Sequence, residues 1–189
     1  MLMQSYTHMN TQIKHPVFLN LDPFFGKIKK KIDIYGSKKT INVLKSKYDF
    51  CFKPKQGYAP ILKEHIVNGK FVIKKGNNKL DINSFEVQHG MIKSTAFIVN
   101  KVGYISDCNF IPKKNRKFLY NLNYLIIDCL RVKSHPGHFN LETALSLSKE
   151  FNCKKTILTN LHVVFDYNKL KKKLPTNIIP AYDGMSFNF

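Results

Sequence analysis

Between Ile66 and Asp107, apolar and polar positions alternate in short runs that are separated by turn residues. The runs read FVIKK, LDINSFEVQ, STAFIVN and VGYISD, and a Gly-Asn-Asn turn at 76–78 separates the first two. Alternation with a period of two residues is typical of strands that bury one face. The region 66–107 is therefore predicted to form a small antiparallel sheet of hairpin-like pairs.

After Asp107 the pattern changes, because apolar runs now alternate with segments of helical spacing. The run at 124–128 is apolar and stops on an acid, as a buried strand does, and Asn140 stands where a helix N-cap belongs. In order, the predicted elements are a helix from Pro112 to about Tyr120, a strand over Tyr124–Asp128, a helix over Leu141–Phe151, a strand over Lys155–Thr159, a helix over 167–173 and two short strands about Asp183-Gly184.

The first part of the chain carries fewer signals. A short strand is predicted from Ile32 to Tyr35, and Gly36 ends it. Ser37 is then predicted to cap a helix. The proline and glycine residues within 50–64 predict that this stretch is a loop. No repeat or linker divides the sequence, so one α/β domain over 1–189 is expected.

Composition adds a strongly basic balance, with a formal net charge of +19. Only Arg116 and Arg131 among the basic residues are arginine, which reads phosphates and bases better than lysine does. Lysine, Asn, Ile, Phe and Tyr are the residues that AT-rich codons supply, so the charge does not by itself predict nucleic-acid binding. The cysteines form no CxxC pair and no apolar run approaches a membrane span, so a cytoplasmic protein without a membrane partner is expected.

Side chains that can bind a metal ion stand where the predicted strands stop or loops begin. Imidazole nitrogen and carboxylate oxygen are the ligands that zinc and manganese accept. Strand ends are also where an open α/β sheet presents its chemistry. The candidates are His8, His89, Asp107, Asp128, His138 and His162.

Five phrases, in this order along the chain, resemble metallo-β-lactamase-fold hydrolases: VQHG, GYISDCN, LIIDCLRVKSHPGHFNLETALSL, KKTILTNLH and PAYDG. The sequence is most similar to the branch that includes phosphoribosyl cyclic-phosphate phosphodiesterase and, more distantly, tRNase Z. The resemblance implies an α/β fold, the αββα sandwich, with a metal centre at the rim between two sheets. The family's first metal motif matches at Thr7, close to Met1, so the sandwich is expected to lack its first strands.

The resemblance also implies roles for individual residues. His89 stands at a histidine metal ligand and Asp107 at the aspartate that bridges two metals. His138 matches a histidine that lies beside the substrate and acts as general acid. Asn160 occupies the place of the last histidine ligand, and His162 is the nearest replacement, on the same face if the strand continues. Asp128 is interpreted either as a carboxylate that orients a histidine or as a strand-end cap.

The first metal motif departs from the family pattern T-H-x-H-x-D-H. His8 is retained, but Asn10, Gln12 and Ile13 replace the second histidine, the aspartate and the last histidine. Neutral amides are poor substitutes for imidazole or carboxylate. One zinc or manganese ion is therefore expected rather than two, and a protein without metal is the alternative.

Three functions follow as hypotheses. The first is a hydrolase directed at a small phosphodiester, with activity reduced or lost, in which His138 and Asp128 are the candidate catalytic residues and Arg131 contacts the phosphate. The second is a catalytically inactive, truncated homologue or binding module of the same fold. The third is a basic RNA-associated protein similar to tRNase Z. A homodimer is among the expected assemblies, and nucleic acid is not the expected partner of the first.

Overall fold

The computed structural model of the chain describes residues 31–55 and 59–188. His8 and the rest of the first metal motif lie outside these residues, so their predicted roles stay predictions. The chain divides into two compact units, Met1–Val67 and Asn68–Phe189. The expectation of a single domain over 1–189 likewise stays a prediction.

The described residues of the first unit form a two-stranded parallel sheet and two helices. Strand β1 (Ile32–Gly36) pairs with β2 (Leu62–Ile66), and α1 (Lys38–Lys47) and α2 (Asp49–Phe52) lie between them along the chain. The Ser37 side chain accepts a hydrogen bond from the backbone of α1, which confirms its predicted role as N-cap. Among the described residues of this unit, one buried apolar cluster consists of Ile34, Ile41, Cys51 and Leu62.

The prediction that 50–64 is loop was wrong at both ends. Helix α2 reaches Phe52, and strand β2 begins at Leu62. Prolines at 54 and 60 suggested a continuous loop, but they only separate the two elements. Cys51 and Leu62 are buried together with β1, and this tertiary packing overrides the weak local signal.

The second unit is built on a mixed seven-stranded sheet in which the strands follow their order along the chain. The pairs β3–β4, β4–β5 and β5–β6 are antiparallel, and the pairs β6–β7, β7–β8 and β8–β9 are parallel. In chain order the elements are β3 (Gly69–Lys75), β4 (Asn78–His89), β5 (Ile92–Val99), β6 (Val102–Ile105), α3 (Lys113–Arg116), β7 (Tyr124–Asp128), α4 (Leu141–Glu150), β8 (Lys155–Thr159), α5 (Tyr167–Lys173) and β9 (Ile178–Pro180).

Strand β6 joins the two halves that the sequence had separated at Asp107. It is antiparallel to β5 on one side and parallel to β7 on the other. Since two successive antiparallel pairings restore the direction, β4 runs the same way as β6, β7 and β8. The carboxyl ends of these four strands therefore lie at one edge of a single sheet.

The buried cluster of this unit joins the sheet to helix α4. Asn140 caps the helix by accepting a hydrogen bond from the Thr143 backbone, as the sequence predicts. Apolar side chains of the helix stripe and of the neighbouring strands belong to one buried cluster that includes Leu125, Ile127, Ala144, Leu147, Phe151 and Leu158. This packing fixes the strands whose ends carry the polar residues.

Several predicted boundaries were right and two were not. Strands β7 and β8 and helix α5 have the predicted bounds, and α4 ends one residue earlier than expected. The helix from Pro112 covers only Lys113–Arg116, and a single strand, β9, replaces the two expected near Asp183-Gly184. No helix among the described residues is long and apolar enough to cross a membrane.

A buried hydroxyl pair links α4 to β8 and provides a test of this packing. The Ser148 and Thr156 hydroxyls lie 2.6 Å apart, with both residues buried. Thr156→Val leaves the Ser148 hydroxyl without this partner, so we expect the free energy of unfolding to fall by about 1–3 kcal/mol.

The double variant Ser148→Ala/Thr156→Val removes both polar groups and is expected to be more stable than the sum of the two single changes implies. Chemical unfolding of the four proteins measures this difference. Strict additivity would contradict a direct interaction between the two hydroxyls.

Candidate metal centre

His89 is the last residue of β4 and is held at the sheet edge by a tight turn. It pairs with Ile92 at the start of β5, and Gly90 between them has φ 57°, which is the left-handed region that glycine adopts without a steric cost. The Gln88 side chain donates hydrogen bonds to the backbone oxygens of Gly90 at 2.6 Å and Ile92 at 3.0 Å. Strand pairing and the Gln88 side chain therefore both hold this turn, which fixes the direction of the buried His89 imidazole.

Three hydrogen bonds join the end of β4 to the loop that follows β6. Gln88 N–H donates to the Phe110 carbonyl and Asn109 N–H donates to the Gln88 carbonyl, both at 2.9 Å. Gly90 N–H donates to Asn109 Oδ1, also at 2.9 Å. These contacts bring the Asp107 loop alongside His89.

Asp107 is half-buried two residues beyond the end of β6, and neighbouring serines fix it. Ser106 Oγ donates to Asp107 Oδ2 at 2.7 Å, and Ser94 Oγ donates to the Asp107 carbonyl at 2.6 Å. Both serines are buried. The carboxylate therefore has one oxygen bound to a neighbouring hydroxyl and a fixed backbone behind it.

His138 comes from the loop between β7 and α4, and backbone hydrogen bonds anchor its neighbour on two sides. Phe139 N–H donates to the Cys108 carbonyl at 2.7 Å, and the Phe139 carbonyl accepts from Leu130 N–H at 3.0 Å. The loop is thereby attached both to the Asp107 loop and to the end of its own strand.

Together these elements place His89, Asp107 and His138 in one group. One ligand atom from each lies within 4.8 Å of the other two. The Nε2 atoms of the two histidines are 3.2 Å apart, and their ring centroids are 4.5 Å apart. Residues 49 positions apart in sequence thus present imidazole nitrogens to the same point.

Gly137 makes this approach possible. A Cβ atom at this position would lie 3.2 Å from Cδ2 and 3.4 Å from Nε2 of His89. Both distances are at or below the closest ordinary contacts of a real side chain, and the glycine is buried. A side chain at this position would therefore require the His89 ring to shift by a few tenths of an ångström.

Asp128, the last residue of β7, is fully buried and accepts three hydrogen bonds. His138 Nδ1 lies 2.8 Å from Oδ2, Cys108 N–H donates to the same oxygen at 2.9 Å, and Asn160 Nδ2 donates to Oδ1 at 3.1 Å. Of the two roles open from sequence, the structure therefore supports the carboxylate that orients a histidine.

The environment of the pair shifts both pKa values. Burial raises the pKa of the Asp128 carboxyl above its ordinary value, while the hydrogen bonds from His138 and Cys108 act in the opposite direction. The hydrogen bond to Asp128 raises the pKa of the His138 imidazole. Cys108 N–H and the Asn160 amide can only donate, which favours the ionised carboxylate, so we assign the proton between Asp128 and His138 to His138 Nδ1.

This donor set fits a zinc or manganese ion. Two imidazole nitrogens and a carboxylate oxygen are ligands that both metals accept. Ligand atoms arranged tetrahedrally at about 2.0–2.1 Å from zinc lie roughly 3.3 Å apart, and the two Nε2 atoms are 3.2 Å apart. The Asp128 carboxylate behind His138 also resembles the partners that orient metal-bound histidines.

The structure does not bring His162 into this group. Strand β8 ends at Thr159, and Asn160 has φ 60°, so the alternation that would have kept His162 on the face of Asn160 does not continue. His162 is exposed, and its Nδ1 accepts a hydrogen bond from Val164 N–H at 3.2 Å. Arg131 likewise donates to the nearby Ser134 carbonyl at 2.9 Å.

Sequence reasoning missed the residues that assemble the site. Asn109 and Gln88 join its two loops, Gly137 gives room to His89, and Asn160 binds Asp128 rather than standing as an empty ligand position. A Pro-Gly pair directly before His138 was the only local signal for the close approach. The other contacts join positions far apart in sequence, which no local pattern records.

Solved structures with related folds come from several proteins. A diphosphatase from the PhnP family is 23% identical, with a TM-score of 0.76 over 89% of this chain and 63% of its own. The metallo-beta-lactamase fold protein YhfI from Bacillus subtilis is 20% identical, with a TM-score of 0.66 over 88% of this chain and 67% of its own. Zn(2+)-bound PqqB from Methylobacterium extorquens is 10% identical, with a TM-score of 0.64 over 85% and 66%.

The chain thus spans less than two thirds of the length of the PhnP-family diphosphatase. No curated protein sequence matches it. The family model described as the beta-lactamase superfamily domain matches residues 19–161, more than half of the chain. The chain therefore belongs to the beta-lactamase superfamily and has the metallo-β-lactamase fold.

Proposed function

We propose that this chain is a metal-dependent hydrolase of a small phosphodiester or diphosphate ester, with one ion held by His89 and Asp107. The observation that carries the proposal is the convergence of His89, Asp107 and His138 within 4.8 Å at one edge of the sheet. Membership of the superfamily supports hydrolysis. The similar fold of a PhnP-family diphosphatase supports a phosphorus–oxygen bond as the one cleaved.

A bound ion would supply Lewis-acid polarisation of a phosphoryl oxygen and a lower pKa for a bound water. Zinc is the first candidate because PqqB, which shares the fold, is zinc-bound, and manganese is the second. The Ser106 hydroxyl on Asp107 Oδ2 leaves Oδ1 free of that contact. His8, outside the described residues, stays a predicted further ligand.

His138, which is close enough to be a third ligand, is proposed instead to protonate the leaving oxygen. Asp128 binds its Nδ1, so the nitrogen that faces the site is Nε2. The hydrogen bond to Asp128 raises the pKa of His138, so the protonated imidazole is more populated than in a free histidine at the same pH. In the hydrolysis, a water oxygen forms the new bond to phosphorus and gives up a proton to solvent. As the bond from phosphorus to the leaving oxygen breaks, the proton on His138 Nε2 passes to the departing alkoxide, and the Asp128 carboxylate stabilises the cationic ring until then.

The same sequence also supports a weaker enzyme or an inactive one. Asn160 stands where the resembling family carries a histidine ligand, and Asn10, Gln12 and Ile13 replace three residues of the first metal motif. Each change removes a metal ligand of the family pattern, and a second ion would depend on the positions of Gln12 and Ile13. We therefore propose activity lower than that of a two-metal hydrolase, and an inactive binding module as the alternative if no turnover is found.

Metal content tests the proposed ligands directly. We expect the purified protein, loaded with zinc or manganese and desalted, to retain about one ion per chain by elemental analysis. His89→Ala and Asp107→Asn each remove a donor from the group and are expected to lower the retained metal by about tenfold or more.

His65→Ala is the matched control, because His65 binds Asp33 in the first unit. We also expect His162→Ala to retain the ion, and loss of metal from this variant would instead identify His162 as a ligand. A wild-type chain that retains no metal would overturn the proposed centre.

Hydrolysis assays test the proton donor separately from metal binding. With bis(4-nitrophenyl) phosphate or a diphosphate ester as substrate, His138→Gln is expected to lower the turnover number by about 10²–10⁴-fold, since the leaving oxygen then departs unprotonated. The metal content of this variant should stay close to that of the wild type.

If His138→Gln loses the ion together with activity, His138 is a ligand and not the proton donor. If the metal-loaded wild type hydrolyses neither substrate, the hydrolase proposal fails and the inactive-module alternative stands.

A further inference from the structure

We propose that Asn160 is a positioning residue, which locks Asp128 and through it sets the tautomer and orientation of His138. Its effect on turnover rests on the function proposed above, whereas its effect on the His138 ring does not. Asn160 is exposed and was predicted only as the place of a missing ligand. Its contacts assign it a different role.

The first support is that the two oxygens of the Asp128 carboxylate accept hydrogen bonds from different donors. Cys108 N–H and His138 Nδ1 share Oδ2, at 2.9 and 2.8 Å. Asn160 Nδ2 donates to the other oxygen, Oδ1, at 3.1 Å. The amide thus helps to hold the plane of the carboxylate, because a partial rotation about its Cβ–Cγ bond would break the contact to Oδ1.

The second support is the position of the amide beside the ring itself. Asn160 Nδ2 lies 3.2 Å from His138 Nδ1. Nδ1 has one in-plane direction for a hydrogen or a lone pair, and the shorter contact to Asp128 takes it, so Nδ1 carries the proton. The amide nitrogen also carries only hydrogens, so it cannot accept the Nδ1 proton, and Asp128 is the acceptor for both groups.

The third support is the backbone, which is held in the geometry that this contact needs. Asn160 has φ 60°, a conformation that asparagine adopts more readily than most residues. On one side of it the Thr159 carbonyl accepts from Cys129 N–H, and on the other His162 N–H donates to the Leu130 carbonyl, both at 2.9 Å. The turn after β8 is thus attached to the end of β7 on both sides of Asn160.

Asn160→Gly isolates the side chain from the backbone. Glycine adopts the positive φ without strain, so the turn should persist while both amide hydrogens are lost. Asn100→Gly is the matched control, since Asn100 is also exposed and has φ 53° in the turn between β5 and β6. Asn160→Asp keeps the shape but replaces the donor by a second carboxylate next to Asp128.

Side-chain nitrogen NMR of the full-length, metal-free protein gives a readout that is independent of activity. His138→Gln identifies the His138 resonances. At a pH above the His138 pKa, where the ring is neutral, we expect the wild type to show one protonated nitrogen, Nδ1, and one unprotonated nitrogen, Nε2, with well-separated shifts. In Asn160→Gly the two shifts should move toward each other as the second tautomer becomes populated, while Asn100→Gly should match the wild type.

Turnover provides the second readout. Asn160→Gly is expected to lower it by about 10–100-fold, the range typical of residues that orient a functional histidine, and Asn160→Asp should lower it further. A wild-type nitrogen pattern in Asn160→Gly, with the fold intact by circular dichroism, would overturn the inference. If the wild type shows no turnover, the hydrolase proposal fails but the nitrogen shifts still decide the role of Asn160.

Discussion

The site depends first on the direction of the strands. Because β6 is antiparallel to β5 and parallel to β7, the carboxyl ends of β4, β6, β7 and β8 meet at one sheet edge. Four residues or loops that are far apart in sequence then become neighbours, without any local signal that they should. Each of these strand ends, or the loop that follows it, contributes a polar side chain. The register in which the strands pair determines where along the strand direction that side chain lies.

Asp128 is the second constraint, since a buried carboxylate is costly unless hydrogen bonds satisfy it. Here the donors come from the loop after β6, the loop before α4 and the turn after β8. The same three contacts that keep the carboxylate stable also fix the relative positions of these loops. Stability and function are therefore coupled at this residue, because the group that needs partners is the one that orients His138.

Superfamily membership explains the fold, while the particular residues decide what the fold does here. His89, Asp107 and His138 form a group at the sheet edge that could hold a metal ion, and His138 has a carboxylate partner in Asp128. Asn160 differs, because it offers an amide where the resembling family offers imidazole. In the structure this amide donates a hydrogen bond to the Asp128 carboxylate, whose other oxygen binds His138.

The sequence alone determined the elements with strong local signals. The run at Tyr124–Asp128 and that at Lys155–Thr159 are compact and apolar with polar ends, and Asn140 is a strong cap, so β7, β8 and the start of α4 were predictable. It also placed His89 and Asp107 at strand ends. Only the tertiary structure decided that β2 forms next to β1, that the two halves share one sheet, and that β8 stops at Thr159 so that Asn160 turns toward Asp128 while His162 turns away. These outcomes depend on strand pairings and hydrogen bonds between residues that are far apart in sequence. A local sequence pattern does not show which of these residues will pair.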